Sequence, residues 1–186
     1  MLQNLDLPNA IFIDTETTGL GVTDEVIELA AIDVDGRVLL DTLIRPTIPV
    51  GLQAQAIHGI TSGELAGAPE FPAIWANLLR AVSGRPIVMY GADFDTRMLR
   101  QSAAAHTIDF NAFCPSEIQC AMHAYAEHRR VWNVRQRSFR WHKLTTACEY
   151  EGIHLPAALA PHRARADAEL TRRLVLKFRE DCYGAD

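Results

Sequence analysis

The sequence predicts an α/β fold in which a central mixed sheet, with an antiparallel meander of three strands, is flanked by helices. Two observations support this prediction: three strand-like segments come first, and helical segments then alternate with a further short strand. No G-x-G-x-x-G follows the first strand, which argues against a doubly wound dinucleotide-binding fold. A length of 186 residues, 48% of them apolar, fits a single domain spanning residues 1–186.

The first strand is the apolar run from Ala10 to Ile13, and two acids, Asp14 and Glu16, follow it directly. Residues two apart on an extended chain point to the same side, so these carboxylates are expected to share one face. Such a pair repels itself unless a cation lies between the oxygens, and hard oxygen ligands suit Mg²⁺ or Mn²⁺. The alternative is a solvated turn in which Asp14 caps the next segment.

The following segments complete the meander and the helical layers. The dipeptide Asp35-Gly36 predicts a tight turn between strands at Val26 to Val34 and Arg37 to Arg45. Thr61 or Ser62 is expected to cap a helical turn, and a fourth strand is predicted at Ile87 to Tyr90. Apolar spacing predicts the other helices: near Leu52 to Ala56, Glu70 to Val82, through Met98 and Leu99 to about Ala104, Glu117 to His128, Lys143 to Glu151, and His162 to about Asp181.

A third acid, Asp95, follows the fourth strand and opens a predicted helix. Ligand crevices form where strands of such sheets end, so Asp95 is a candidate for the same site as Asp14. We favour it over Asp93 because Phe94 and Leu99 anchor its helix, whereas Asp93 is expected to cap that helix. Taken alone, Asp95 also fits a first-turn acid matched to the helix dipole.

The last helix opens with His162 and reaches Asp167 five residues later. On a regular helix these residues lie about 140° apart, so they share a face only if His162 precedes the first turn. Pro161 favours that arrangement. Ala164 and Ala168 flank Asp167 and would let another element approach closely. A surface or packing role for His162 is the alternative.

Charge and cysteine content restrict the class of protein. The formal net charge is −5, yet the segment from Arg129 to Lys143, here called the basic strip, has six basic residues and no acid. Four scattered cysteines without C-x-x-C spacing suggest reduced thiols and a cytoplasmic protein. The sequence has neither a run of about 18 apolar residues nor a signal-peptide pattern at its N-terminus, so no membrane association is expected.

Aromatic residues interleave with the arginines of the basic strip, as in surfaces that bind single strands through phosphate charge and base stacking. The alternative is a solvated loop whose aromatic side chains are tucked into the core. The candidate nucleic-acid contacts are Arg135, Arg137, Arg140 and Trp141.

Together these residues resemble the DEDDh 3′–5′ exonucleases of the RNase H-like superfamily, which include the proofreading epsilon subunit of bacterial replicative polymerase, RNase T and oligoribonuclease. The resemblance covers about residues 10–178, and its core is expected there. The matching motifs are D-x-E-T-T-G-L at Asp14 to Leu20, A-x-F-D-x-x-x-L at Ala92 to Leu99, H-x-A-x-x-D at His162 to Asp167, and A-I-H-G-I-T at Ala56 to Thr61.

The resemblance implies a two-metal hydrolysis of phosphodiester bonds from a single-stranded 3′ end, with Mg²⁺ or Mn²⁺ as cofactor. No motif reports on the 2′-OH, so the sequence leaves DNA and RNA open as substrates, with DNA slightly favoured. It assigns Asp14, Glu16 and Asp167 to the first metal ion, with Asp14 bridging to a second that Asp95 supports. It makes His162 the general base, a task that suits its ordinary pKa. It also implies that the terminal nucleotide contacts Thr17, Thr18, Gly19, Leu20, His58 and Phe94, although simple loop packing remains an alternative for His58.

One departure concerns Tyr90-Gly91, which replaces the family's His-Asn before Ala92 and leaves rate and substrate preference open. The rival functions are an endonuclease of the RNase H type and a non-catalytic nucleic-acid-binding relative. The lack of an extended tail after the last predicted helix favours a stand-alone enzyme. The sequence leaves open a homodimer or association with a polymerase.

Overall fold

The computed structural model describes residues 7–183, with side chains described for residues 7–180. The predicted fold class is confirmed: a mixed sheet of five strands lies between helices. The first six residues and the side chain of Cys182, both used in the sequence analysis, lie outside the described part, whereas Cys114, Cys120 and Cys148 are free thiols.

The central strand of the sheet is β1 (Ile11–Thr17), which pairs antiparallel with one neighbour and parallel with the other. The parallel partner is β4. The C-terminal ends of β1 and β4 therefore lie side by side, and the residues that follow the two strands can meet there. In the spatial order β3-β2-β1-β4-β5, the other strands are β2 (Val26–Asp33), β3 (Val38–Leu43), β4 (Pro86–Met89) and β5 (Glu117–Cys120).

The helices follow the predicted segments closely. Thr61 caps α2 through a capping box in which its hydroxyl accepts from the Glu64 amide and the Glu64 carboxylate accepts from the Thr61 amide. No helix in the described part of the chain is both long and apolar enough to cross a membrane. The helices are α1 (Leu52–His58), α2 (Ser62–Ala66), α3 (Phe71–Val82), α4 (Ala92–Ala105), α5 (Ala121–Arg129), α6 (Leu144–Tyr150) and α7 (Ala164–Tyr183).

The predicted helix from Glu117 to His128 is wrong in its first four residues. These residues form β5, which pairs in parallel with β4 from Glu117 opposite Pro86 to Cys120 opposite Met89. The segment is short, polar and half exposed, so its own pattern does not distinguish a strand from a helix. Pairing with the edge of β4 decides the outcome.

Two apolar layers enclose the sheet. On one face, Ile13 and Met89 pack in the cluster that includes residues of α3 and α4. On the other face, Phe12 and Val88 pack in the cluster that includes residues of α5, α6 and α7. Since side chains alternate along a strand, Asp14 and Glu16 point to the same face as Phe12.

The basic strip contains a small hairpin that the sequence did not predict. Strands β6 (Trp132–Asn133) and β7 (Ser138–Phe139) pair antiparallel, and the turn between them includes Arg135 and Arg137. The hairpin lies between α5 and α6 in the chain, and β7 packs against α5.

Candidate active site

Three carboxylates converge at the sheet edge where β1 ends. Asp14 and Glu16 point from β1 toward α7, and Asp167 lies in the first turn of that helix. We call Asp14, Glu16 and Asp167 the carboxylate trio. One carboxylate oxygen from each residue lies within 4.8 Å of the other two. The trio therefore offers a compact set of oxygen ligands.

Small residues on α7 allow this convergence. Ala164 and Ala168 are fully buried and pack directly on Ala30 and Ile32 of β2. A larger side chain at either position would push the first turn of α7, and Asp167 with it, away from the sheet. The short side chains therefore set the distance between Asp167 and the acids of β1.

Asp95 lies beside the trio, in the first turn of α4, and only 4% of its surface is exposed. The Thr15 hydroxyl donates a hydrogen bond of 2.8 Å to its Oδ1. The expected cap at Asp93 is wrong, because Gly91 is the N-cap and Asp93 is exposed. Asp95 is thus the buried acid of this turn.

Burial makes all four acids hard to ionise, and repulsion from neighbouring acids of the site adds to this effect at Asp14 and Glu16. Burial, followed by the charges of Asp95 and Asp167, raises the pKa of Asp14 well above its ordinary value. Burial with the charge of Asp167 raises the pKa of Glu16 to about 8. Burial raises the pKa of Asp95 to about 7 against the opposing Thr15 hydrogen bond, and it also raises the pKa of Asp167.

A fifth acid, Glu28, lies opposite Glu16 on β2 and is neutralised by Arg163. The guanidinium donates to both carboxylate oxygens of Glu28 at 2.6–3.0 Å, and the Ala164 amide donates to Oε2 at 2.9 Å. Glu28 therefore secures the start of α7. Glu28 was not predicted as a site residue. An acid inside the apolar run Val26 to Ala31 is a signal in the sequence, but the position of Glu28 opposite Glu16 is seen only in the paired strands.

His162 lies in the loop immediately before α7, as Pro161 suggested. Its backbone has a φ of 53°, in the left-handed region that few non-glycine residues adopt. The side chain is exposed, and its electrostatic interaction with Asp167 lowers the pKa of that acid, against the larger effect of burial. His162 thus stands next to the trio without belonging to it.

Comparison with known proteins places this geometry in a family. The family model described as "Exonuclease" (RNase_T) matches residues 11–175. The chain belongs to the exonuclease family. It is therefore a nuclease of the hydrolase class with the DEDDh arrangement of an RNase H-like fold, as the motifs predicted.

Three relatives show the range of this similarity. The chain is 38% identical to the "Uncharacterized exonuclease CP81" of Escherichia phage 186 over 168 residues, which cover 89% of this chain and 85% of that protein. It is 25% identical to a DNA polymerase III PolC-type of Caldanaerobacter subterraneus, over 91% of this chain but only 11% of that protein. The solved structure of "Exonuclease X in complex with 5′ overhanging duplex DNA" matches with a TM-score of 0.68 and 26% identity, over 95% of this chain and 94% of the other.

The loop after β1 gives this exonuclease an exposed apolar tip. Thr18 donates from its hydroxyl to Asp24 at 2.6 Å, and the Gly21 amide donates to the same carboxylate at 2.6 Å. A Cβ on Gly19 would come within 2.7 Å of the Asp24 carboxylate, so any larger residue would displace the group that Thr18 and Gly21 bond to. Leu20 is 78% exposed at the tip of this fixed loop, and Thr17 bonds across it to the Gly19 carbonyl at 2.8 Å.

His58 ends α1, and its ring is buried. Its Nδ1 accepts from the Ile60 amide at 3.0 Å, so the neutral ring carries its proton on Nε2. Burial lowers the pKa of His58, and the Thr17 backbone opposes that shift. Phe94, the aromatic residue of the A-x-F-D motif, is half-buried, and the Arg97 guanidinium lies 5.2 Å from its ring centroid.

Tyr90, which stands where the family has histidine, has a structural link of its own. Its ring is buried in the apolar layer under α7, and its hydroxyl donates to the backbone carbonyl of His142 at 2.7 Å. His142 lies in the basic strip, at the beginning of the loop that leads to α6. Tyr90 therefore joins the end of β4 to the basic strip.

Proposed function

We propose that the protein is a divalent-metal-dependent 3′–5′ exonuclease that releases nucleoside 5′-monophosphates from single-stranded ends, with DNA favoured over RNA. The observation that carries the proposal is the convergence of the carboxylate trio beside Asp95 at the end of β1 and β4. Membership of the exonuclease family supports the reaction class. The relative solved with duplex DNA supports a DNA substrate.

The donor set fits a hard divalent cation. Within residues 7–180, no protein cation forms an ion pair with Asp14, Glu16, Asp95 or Asp167, and all four have raised pKa values that a bound cation would lower. We assign Asp14, Glu16 and Asp167 to one ion, and Asp14 with Asp95 to a second, as Mg²⁺ or Mn²⁺. Bound there, such ions supply charge for the phosphate oxygens and lower the pKa of an attacking water.

The remaining residues act on the proton and on the nucleotide. His162 accepts the proton of the attacking water, for which its place at the rim of the trio is suited. The backbone of Thr17 to Gly19 lies against the terminal nucleotide, and Leu20 and Phe94 contact its base. The buried ring of His58 supports this loop through its neighbour Thr17.

A panel of 3′-labelled substrates tests the reaction. Single-stranded DNA, single-stranded RNA and dinucleotides are incubated with Mg²⁺, with Mn²⁺ and with chelator. We expect labelled mononucleotides as first products, faster cleavage of DNA than of RNA, and no products with chelator. Undiminished cleavage in chelator would contradict the metal assignment, and faster cleavage of RNA would reverse the substrate preference.

Two controls separate the rival functions. A circular single strand or a 3′-phosphorylated end should resist cleavage, whereas an endonuclease of the RNase H type would cut the circle as fast as a free end. The Asp14→Ala variant should lose turnover while keeping its circular dichroism spectrum. Turnover retained by that variant would rule out the role of the trio, and no turnover by the parent chain would favour a non-catalytic binding protein.

Three wider assignments belong with this proposal. We propose that the chain forms a single exonuclease domain with its core in residues 10–178. The reduced thiols favour a cytoplasmic setting. Its substrate partner is a single-stranded 3′ end, while self-association and association with a polymerase stay open, since the chain matches only 11% of the PolC-type relative.

A further inference from the structure

The basic strip carries cations that the protein itself does not neutralise. Of its six basic residues, Arg129 alone forms an ion pair with a described acid, at 3.8 Å from Glu151. Outside the strip the chain has 12 basic and 23 acidic residues, so the positive charge is concentrated in one place. The exposed cations of the strip that have no acidic partner among residues 7–180 are Arg130, Arg135, Arg137, Arg140 and Lys143.

Exposed aromatic rings accompany these cations. Trp132, Trp141 and Tyr150 are 56%, 51% and 55% exposed, although tryptophan and tyrosine usually bury most of their surface. The Trp132 ring stands on Phe139 with centroids 5.5 Å apart, which fixes its orientation. The idea that the aromatic side chains of the strip are tucked into the core does not hold for either tryptophan.

A cleft of about 420 Å³ opens between the hairpin and α6. Trp141 and Tyr150 supply aromatic walls, and Arg140 and Lys143 supply charge. Asn133 and Gln136 add amide groups at the hairpin. A single-stranded nucleic acid engages groups of these three kinds: its bases stack on aromatic rings, its phosphates pair with cations, and its base edges bond to amides. An acidic peptide would use the cations but has no bases to stack on the exposed rings.

The strip lies on the same side of the sheet as the carboxylate trio. Tyr90 follows β4 and packs in the apolar layer under α7, the layer toward which Asp14 and Glu16 also point. Its hydroxyl then bonds to His142, so the strip is attached at the edge where β1 and β4 end. A single-stranded nucleic acid whose 3′ end lies at the carboxylate trio can therefore continue along this edge of the sheet toward the basic strip.

We infer that the basic strip binds the single-stranded tract that precedes the 3′-terminal nucleotide, and that Tyr90 positions the strip relative to the carboxylate trio. This inference rests on the proposed function for the direction of the strand. It gives the exonuclease a second nucleic-acid contact, separate from the loop at Thr17 to Leu20. Its consequence is a preference for strands long enough to reach both contacts.

Binding measured without turnover tests the strip. In the Asp14→Asn background with chelator, fluorescence anisotropy compares DNA and RNA of roughly 15 nucleotides with a dinucleotide. The triple variant Arg135→Glu, Arg137→Glu and Arg140→Glu should bind the long strands at least about tenfold more weakly. The slope of log affinity against log salt should fall by about 2, since three phosphate contacts are lost. Dinucleotide binding should not change.

A matched single substitution controls for net charge. Arg80 is exposed on α3, on the other side of the sheet, and among the described side chains its hydrogen-bond partner is Asn77 on the same helix. Arg80→Glu should leave affinity and salt slope unchanged, whereas Arg140→Glu should lower both. Equal effects of the two substitutions would overturn the inference. Trp141→Ala, with the melting temperature as a check on folding, should weaken binding of long strands without changing the salt slope.

Kinetics separate the role of Tyr90 from support of the catalytic acids. Tyr90→Phe removes only the hydroxyl that bonds to His142, so KM for long strands should rise about threefold, as loss of one neutral hydrogen bond predicts. Hydrolysis of a thymidine 5′-phosphate aryl ester, which is too short to reach the strip, should not change. Equal losses on both substrates would refute the positioning role.

The two proposals fail in different ways. If the parent chain binds long strands through the strip but releases no mononucleotides with either metal ion, the proposed function is wrong and the binding surface stands. If mononucleotides are released while the triple variant binds and degrades long strands like the parent chain, the strip inference is wrong and the proposed function stands.

Discussion

Three different local rules place the four acids of the site. Asp14 and Glu16 share a face because side chains alternate along β1. Asp167 reaches them because buried alanines bring α7 close to the sheet, and Asp95 is fixed by the Thr15 hydroxyl. Only the first rule can be read directly from the spacing of residues.

The general-base role predicts a specific loss for His162→Ala. Turnover should fall by about 10²–10⁴-fold, since that is the usual contribution of a positioned base. The melting temperature should stay within about 1 °C, because the side chain is exposed and makes no described hydrogen bond. Single-turnover kinetics and calorimetry measure the two quantities.

His154 provides the matched control, since it is also an exposed histidine in the segment before α7. The His154→Ala variant should retain both turnover and melting temperature. A parallel loss in the two variants would indicate that the effect comes from the loop rather than from a base at position 162.

At the residue scale, the sequence predicted the acids and His162 but not their support. The place of Glu28 depends on which residue of β2 faces Glu16, and that register is known only once the strands pair. The burial of the His58 ring depends on the packing of α1 against the loop after β1. Neither fact follows from local spacing.

At the element scale, the orientation of α7 depends on one ion pair whose carboxylate is buried. Glu28 accepts three guanidinium hydrogen bonds from Arg163 and one from the amide of Ala164, so it fixes the first turn from which Asp167 projects. A carboxylate at a helix N-terminus also complements the helix dipole. The element and the site are therefore held by the same contact.

Glu28→Gln tests this dependence. Loss of the charge should lower the free energy of unfolding by about 2 kcal/mol, the usual value for hydrogen bonds to a charged group. Turnover should fall more than KM changes, because Asp167 and His162 both lie beside Arg163. Denaturant unfolding and steady-state kinetics measure these effects.

The comparison variant is Glu70→Gln, which breaks the exposed pair between Arg45 and Glu70 at 2.6 Å. An exposed pair contributes less than about 1 kcal/mol, so this change should be close to neutral. If Glu70→Gln and Glu28→Gln had the same small effect, the securing role of Glu28 would be wrong.

Elements with strong apolar periodicity were predicted well, and the short polar ones were not. The meander, α3 and α7 follow the predicted segments within a few residues. β5 has four residues, and β6 and β7 have two residues each. Each of these strands forms only because it pairs with a neighbouring strand. Pairing of that kind leaves no periodic pattern in the sequence.

At the scale of the whole molecule, four acids with raised pKa values make the folded, metal-free protein less stable as the pH rises. The folded chain holds protons on these groups more tightly than the unfolded chain does. That stabilisation is complete below the ordinary carboxylate pKa and is lost as pH rises through about 7 for Asp95 and about 8 for Glu16. Folding and metal binding are therefore linked through the same acids.

The expected result is a falling melting temperature between about pH 6 and pH 8.5 in chelator. Added Mg²⁺ or Mn²⁺ should raise the melting temperature, and the increase should be larger at the upper end of this range, because bound cations compensate the ionised acids. Differential scanning calorimetry in matched buffers measures the change.

Glu16→Gln should flatten the metal-free profile near pH 8, since it removes the acid that titrates there. A profile that stays the same in this variant would show that the pH dependence arises elsewhere in the chain.

The attachment of the hairpin has a consequence for how such nucleases diversify. The hairpin is inserted between α5 and α6, and none of its strands belongs to the main sheet. A designed exchange of the hairpin should therefore leave the carboxylate trio intact, provided that the hydrogen bond from Tyr90 to His142 is kept. The preference for long nucleic-acid substrates could then be transferred, with the hairpin, to another nuclease of the same fold.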